Sequence, residues 1–194
     1  MASQIVRRAD AARNIDRILE SAIHVFAIDP NAGMNDVAAH AGVGRATLYR
    51  HFPSREDLMA AIKAQAREEA VTAVERCPLD EGSALDAIES IVREVIELGD
   101  RYRFITTWRE DGEVDQEPRE RISAALRTAV ERGQRRGEIT RGIPPEWAVT
   151  VIRSLMLAAL EELSDGSMSD RDAERFVKRI VRQGLAPQRR EKGR

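Results

Sequence analysis

Several features that mark other classes of protein are scarce in this chain of 194 residues. Cys77 is its single cysteine, so no disulfide can form within one subunit, which fits a reducing cytoplasm. No stretch approaches the roughly 18–20 apolar residues that a membrane-spanning helix needs. We therefore expect a cytoplasmic protein without a membrane segment.

Aromatic residues make up only 4% of the chain, and the alternation of apolar and polar residues that marks β-strands is scarce. Ala, Arg, Glu, Ile, Leu and Val dominate instead, and most of these residues favour helices. The composition therefore predicts an all-α fold.

Histidine, a common catalytic group and metal ligand, is also scarce. The three histidines, His24, His40 and His51, have no Ser, Cys or carboxylate partner at a spacing that suggests a triad. No cluster with the spacing of metal ligands appears. We therefore expect no enzymatic activity, no metal site and no cofactor, and we interpret His24 and His40 as satisfied or solvated side chains.

Charge of one sign is not in excess, because the formal net charge is −2. Residues 1–63 hold eight Lys or Arg and seven Asp or Glu, whereas a DNA-binding domain is often strongly basic. Any case for DNA binding must therefore rest on where the charges lie.

Helical periodicity and helix-breaking residues divide the chain into a small N-terminal unit, a larger body and a short basic tail. Helices are predicted at about 10–28, 34–41, 45–51, 54–76, 83–100, 102–110, 117–133, 145–163 and 170–184. The predicted domains are 11–71, with a helix-turn-helix at about 33–52, a body at 72–186 and a disordered tail at 187–194.

The segment from Val37 to Phe52 predicts a helix-turn-helix. Gly42 supplies the positive φ that the tight turn needs, and Val43 can insert between the two helices. Leu48 and Phe52, four residues apart, are expected on the buried side of the second of these helices. The side chains left to face outward include no acid and, apart from Ala46, are basic or form hydrogen bonds: Arg45, Ala46, Thr47, Tyr49, Arg50 and His51.

This part of the chain resembles the TetR family of bacterial transcriptional regulators over about residues 11–71. The resemblance is carried by residues at fixed spacing: Ile18-Leu19, Phe26, Asp36-Val37-Ala38, Ala41-Gly42-Val43, Thr47-Leu48-Tyr49, His51-Phe52 and Arg55-Glu56-x-Leu58. Two positions depart from the family pattern, because Gly33 and Gly44 replace the Ser or Thr that commonly caps a helix there. At Gly44 this removes a hydroxyl group that could reach a DNA phosphate.

The resemblance implies a role for each outward-facing residue. Thr47, Tyr49 and His51 are implied to contact phosphates, and Arg45, Ala46 and Arg50 to lie where base edges are read. Arg55, at the start of the following long helix, is implied to meet another phosphate. The partner is then double-stranded DNA.

The helix predicted at 145–163 is apolar on two sides, which indicates that it is buried on two sides. The resemblance implies that the last two helices pair with their symmetry mates in a homodimer, so that the operator is an inverted repeat. The expected interface residues are Trp147, Val151, Leu155, Ala158, Phe176, Val177, Ile180 and Val181.

The resemblance also implies a ligand site in the body for a small apolar or amphipathic molecule. The candidate lining residues are Ile88, Val92, Val95, Ile96, Tyr102, Phe104, Ile105, Trp108 and Met156. Each has an alternative role in plain core packing, because an apolar stripe needs no ligand to explain it. The expected function is a homodimeric repressor released from its operator by an inducer, with a ligand-independent or activating regulator as the open alternative.

Overall fold

The computed structural model describes the backbone of residues 2–105 and 116–187, and the side chains of residues 13–105 and 117–187. Within these ranges the chain forms eight helices and no strands, which confirms the all-α fold class. The helices are α1 (Ala2–Ile28), α2 (Met34–Ala41), α3 (Arg45–His51), α4 (Arg55–Glu75), α5 (Ala84–Arg101), α6 (Gln116–Arg136), α7 (Pro145–Ser164) and α8 (Asp170–Leu185).

Two predicted helices differ from the structure. The first was expected from about residue 10, whereas α1 begins at Ala2. The helix expected at 102–110 is wrong for its first residues, because α5 ends at Arg101 and the chain turns. The N–H of Ile105 donates to the carbonyl of Tyr102 over 2.9 Å in that turn. Residues 106–110 lie outside the described part of the chain.

The chain divides into two compact units, Met1–Ala66 and Arg67–Arg194. In the first unit α2 packs on α1 and on α3. Apolar side chains with almost no exposed surface form its core: Ile18, Ala22, Phe26, Val37, Leu48, Leu58 and Ile62. These residues come from α1, α2, α3 and α4. Packing against the other three helices therefore sets the position of α3.

In the second unit α5, α6, α7 and α8 pack around one apolar core. Its central side chains are buried: Ile88, Ile91, Val92, Ile96, Leu126, Val130, Ile152, Met156, Leu160, Val177 and Val181. Gly133 allows a close approach in this core, since a methyl group there would lie 2.7 Å from Cβ of Ala84. Such a distance is well inside the normal contact of 3.5–4.0 Å between carbon atoms.

Cys77 follows α4 and is half-buried. Burial raises the pKa of its thiol, and the nearby carboxylate of Glu94 raises this pKa further. The thiol is therefore protonated near neutral pH, which makes it a poor nucleophile and a poor metal ligand.

None of the helices in the described ranges is long and apolar enough to cross a membrane. The same residues contain no group of three or more His, Cys, Asp and Glu side chains that could hold a metal ion.

Candidate nucleic-acid interface

The N-terminal end of α2 is capped by the backbone of Gly33 and the carboxylate of Asp36. Gly33 has extended backbone and no side chain to cap the helix. The carboxylate of Asp36 instead accepts a hydrogen bond of 2.8 Å from the N–H of Gly33. An acidic residue in the first turn also suits the positive end of the helix dipole. Asp36 is thus used by the fold itself, although it is exposed.

Gly42 forms the turn between α2 and α3, as the sequence predicted. Its φ is 63°, in the left-handed region that glycine adopts without steric cost. The N–H of Val43 donates to the carbonyl of Ala38, and the N–H of Gly42 to that of Ala39. This is the hydrogen-bond pattern of a Schellman motif, which closes a helix and turns the chain sharply. It fixes the angle at which α3 leaves α2.

Helix α3 is anchored on one side and open on the other. Leu48 is fully buried and Phe52, directly after the helix, is 6% exposed. Arg45, Ala46, Tyr49 and Arg50 are exposed, as predicted, whereas Thr47 and His51 are half-buried. The helix therefore presents one continuous outer face that holds two arginines, a tyrosine and a small residue.

The two arginines of this face are available to an outside partner. Within residues 13–105 and 117–187, neither Arg45 nor Arg50 makes an ion pair or a hydrogen bond through its guanidinium group. Two acidic groups of the same unit are occupied elsewhere: Asp36 at Gly33, and Asp57 at the backbone and hydroxyl of Ser54. An exposed helix face with unpaired guanidinium groups can bind phosphates or the O6 and N7 atoms of guanine.

His51 is placed less simply than predicted. Its Nε2 atom is buried and has no hydrogen-bond partner among the described residues. A contact between a phosphate and this nitrogen therefore requires the imidazole ring to turn outward. The phosphate contacts of Thr47, Tyr49 and His51 remain predictions.

Arg55 has a role within the fold that its local sequence does not reveal. Its Nη2 atom donates a hydrogen bond of 2.6 Å to the carbonyl of Pro30, and its guanidinium lies 4.8 Å from the centroid of the Phe26 ring. These contacts tie the start of α4 to the end of α1 and the following loop. The partner carbonyl is 25 residues away in the chain, so no short motif could have indicated it. The phosphate contact of Arg55 remains a prediction.

Comparison with known proteins agrees with this geometry. The sequence profile of the family described as "Bacterial regulatory proteins, tetR family" matches residues 18–62, which contain the whole helix-turn-helix. The HTH-type transcriptional repressor LfrR of Mycolicibacterium smegmatis is 30% identical over 166 residues, which cover 86% of this chain and 87% of LfrR. The chain belongs to the TetR family. It is a DNA-binding transcriptional regulator.

Solved structures extend the similarity over both units of this TetR-family protein. The crystal structure of LfrR in complex with proflavine matches with a TM-score of 0.67 at 28% identity, over 90% of this chain and 97% of LfrR. PfmR of Thermus thermophilus matches with a TM-score of 0.66 at 24% identity, over 89% of this chain and 100% of PfmR. The second match shows a shared fold alone.

The body of this TetR-family regulator has an exposed apolar surface on α7 and α8. Trp147 is 59% and Ile180 48% exposed, and Val151 and Phe176 are each more than a third exposed. Ala158 is also exposed, whereas Leu155 is half-buried and packs against the core. Single exposed apolar residues are ordinary on a protein surface, so the interface role of these residues remains a prediction.

Two of the predicted interface residues lie in the core of their own subunit. Val177 and Val181 are 4% and 3% exposed and belong to the core of their own subunit. They lie four residues apart in a row with Ala173 and Leu185, and this row faces inward. Phe176 and Ile180 lie on the adjacent side of the same helix.

The predicted ligand-lining residues are mostly buried. Ile88, Val92, Ile96 and Met156 belong to the apolar core, and Val95 packs against it while partly exposed. Tyr102, Phe104 and Ile105 are buried in the turn after α5. Trp108 lies outside the described residues. Core packing accounts for the burial of all the described members, so a lining role remains a proposal.

Proposed function

We propose that this TetR-family regulator is a homodimeric repressor whose two α3 helices bind the halves of an inverted-repeat operator. A small apolar or amphipathic ligand in the helical body releases it. The observation that carries the proposal is the outer face of α3, where Arg45 and Arg50 are exposed and have no partner among the described residues. In a helix-turn-helix the second helix lies in the major groove, where arginine recognises guanine through two hydrogen bonds.

The homodimer rests on the exposed apolar surface of α7 and α8, formed by Trp147, Val151, Ala158, Phe176 and Ile180. Burying such side chains in water-excluding contact is favourable by about 1.5–3 kcal/mol for each large one. A two-fold symmetric pair buries the same surface on both copies. It also presents two copies of α3, which accounts for an operator with two related half-sites.

The ligand part rests on the relative LfrR, whose structure was determined with proflavine. The described body has a stripe of buried apolar residues along α5, and Met156 of α7 belongs to the same core. A ligand changes operator binding only by its difference in affinity for the two forms of the protein. Repacking of this stripe around a ligand would supply that difference.

The test uses the untagged full-length protein and a labelled duplex that contains the inverted repeat upstream of its gene. Fluorescence anisotropy should show specific binding at moderate salt, with two protomers per duplex by light scattering. A duplex with scrambled half-sites is the matched control. Equal affinity for both duplexes would overturn the operator part, and a single bound protomer would overturn the dimer part.

Ligand release is tested separately, with proflavine as the first probe. Because planar aromatic cations also bind DNA, binding is first measured on free protein as a rise in melting temperature. Addition to the preformed complex should then lower operator affinity, while an unrelated protein–DNA complex at the same proflavine concentration stays bound. If saturating ligand leaves operator affinity unchanged, this compound does not act as an inducer, and a screen of other small amphipathic compounds by the same two steps decides the ligand part.

A further inference from the structure

His24 and His40 lie side by side on the surface of the N-terminal unit, although 16 positions separate them in the sequence. Their ring centroids are 4.8 Å apart and the ring planes are inclined by 31°. Both side chains are exposed. The packing of α2 on α1 creates this pair, so it involves two helices and not one local motif.

We propose that His24 and His40 form a site for a divalent transition-metal ion that imidazole nitrogen binds well, of the type of Zn²⁺ or Ni²⁺. With a metal–nitrogen bond of about 2.0–2.1 Å, the ion lies roughly 3.2 Å from each ring centroid. The N–metal–N angle between two adjacent ligands ranges from about 90° in octahedral or square-planar geometry to about 109° in tetrahedral geometry. The centroids of two imidazoles bound in this way are then roughly 4.5–5.2 Å apart. The observed separation of 4.8 Å falls inside that window.

Exposure of the rings makes the required orientation accessible. Rotation of an imidazole about χ2 is broad and of low cost, so a nitrogen of each ring can turn toward a shared ion. No buried contact needs to break, because both side chains are exposed. The ion would complete its coordination with water, since the described residues hold no group of three or more potential ligands. The site is thus an exchangeable two-ligand site, unlike a closed structural zinc centre.

The surrounding backbone favours a cation at this place. His40 is in the last turn of α2, and His24 lies one turn before the end of α1 at Ile28. The C-terminal end of a helix carries partial negative charge, which attracts cations within its last turn. The end of α2 therefore favours an ion held at His40, whereas His24 lies before the last turn of α1.

Occupation of the site would link α1 to α2 in the unit that carries α3. Because the two rings are adjacent only in the folded state, a bound ion stabilises that state by mass action. The expected consequence is a metal-dependent rise in the melting temperature of the N-terminal unit.

The experiment uses untagged full-length protein titrated with ZnCl₂ and NiCl₂ in a calorimeter, with His24→Ala, His40→Ala and Asn35→Ala variants. Alanine is the best helix former, so all three should fold, which circular dichroism checks. Each histidine variant should bind at least about tenfold more weakly, since even losing an outer partner of a metal-bound histidine costs 10–100-fold. Asn35→Ala changes another exposed side chain of α2 and should bind as the wild type does.

Paramagnetic Ni²⁺ gives a second readout, because it broadens the ring resonances of the histidines that bind it. His24 and His40 should broaden together, and His51 should remain sharp. Absence of saturable binding to the wild type would overturn the proposal. Undiminished binding in both histidine variants, or broadening of His51 alone, would place the ion elsewhere and overturn it equally.

Discussion

Replacing Arg45 or Arg50 by alanine should weaken operator binding without weakening the fold. Both guanidinium groups are exposed and make no ion pair or hydrogen bond within the described residues, so their loss leaves no partner unsatisfied. The free energy of unfolding should therefore change by less than about 0.5 kcal/mol, as for ordinary surface substitutions. Any loss of operator affinity then reports on DNA contacts alone.

The expected loss of operator affinity depends on how many protomers bind one operator. An arginine that makes two hydrogen bonds to guanine contributes about 1–3 kcal/mol of discrimination. In the proposed homodimer each substitution removes two such contacts, which gives about 2–6 kcal/mol. Because about 1.4 kcal/mol is a factor of ten, operator affinity should fall from about 30-fold to more than 10,000-fold.

Salt dependence distinguishes base contacts from phosphate contacts. If an arginine contacts only phosphates, binding should weaken equally on the operator and on scrambled DNA. The slope of log K against log salt should then decrease by about 1.8, which is 0.9 for each of two lost contacts. If it contacts a base, discrimination between the two duplexes should fall and the slope should change little.

The assay is anisotropy on both duplexes at several salt concentrations, with melting temperature as the check on folding. Arg76→Ala is the matched control, since Arg76 is an exposed arginine that lies outside α3, just after α4. It removes the same charge and should change operator affinity only slightly. Wild-type affinity and salt slope in both α3 variants would refute the assignment of α3 as the DNA-reading helix.

Three further substitutions test packing and association, and two of them have a matched control variant. Ile180→Asp, on α8, should raise the dimer dissociation constant at least about tenfold in sedimentation equilibrium, since it buries a charge at the proposed interface. Leu157→Asp, at a similarly exposed apolar residue on α7 outside the proposed interface, should not. Gly133→Ala should be less stable than Gly184→Ala by about 1–3 kcal/mol in urea unfolding, because only Gly133 of the two lacks space for a methyl group. Arg55→Ala should cost about 1–2 kcal/mol through its lost hydrogen bond and ring contact; an unchanged unfolding midpoint would contradict that role.

The helix-turn-helix was predictable because its signals are local. Gly42 ends α2 in the left-handed conformation that its position in the motif requires. Ser54 and Asp57 cap the start of α4 reciprocally, as a Ser followed three residues later by an acidic residue indicates. Each of these features depends on residues within one turn of each other, so the sequence carries them without knowledge of the tertiary fold.

Features that depend on contacts between distant residues were not predictable in the same way. The hydrogen bond between Arg55 and Pro30 and the pairing of His24 with His40 both arise from the packing of helices. The sequence shows that these side chains are polar and on helices or near their ends. It does not show which of them meet, because that depends on the crossing of α1 with the other helices.

Helix α8 shows that an apolar pattern alone does not separate the buried row of a helix from an exposed one. Two rows of residues four apart run along it, Val177 with Val181 and Phe176 with Ile180, and the sequence alone treats them as one face. Only the first row continues in both directions, to Ala173 and Leu185, and all four of those residues are buried. The second row stops after two residues and is exposed, with the guanidinium of Arg175 lying 4.9 Å from the ring of Phe176. The longer row belongs to the subunit core because α8 packs against α5 and α7 along its length, and only this row supplies an apolar residue at every turn. A charge at position 180 therefore tests association of two copies, whereas a charge at position 181 would test folding.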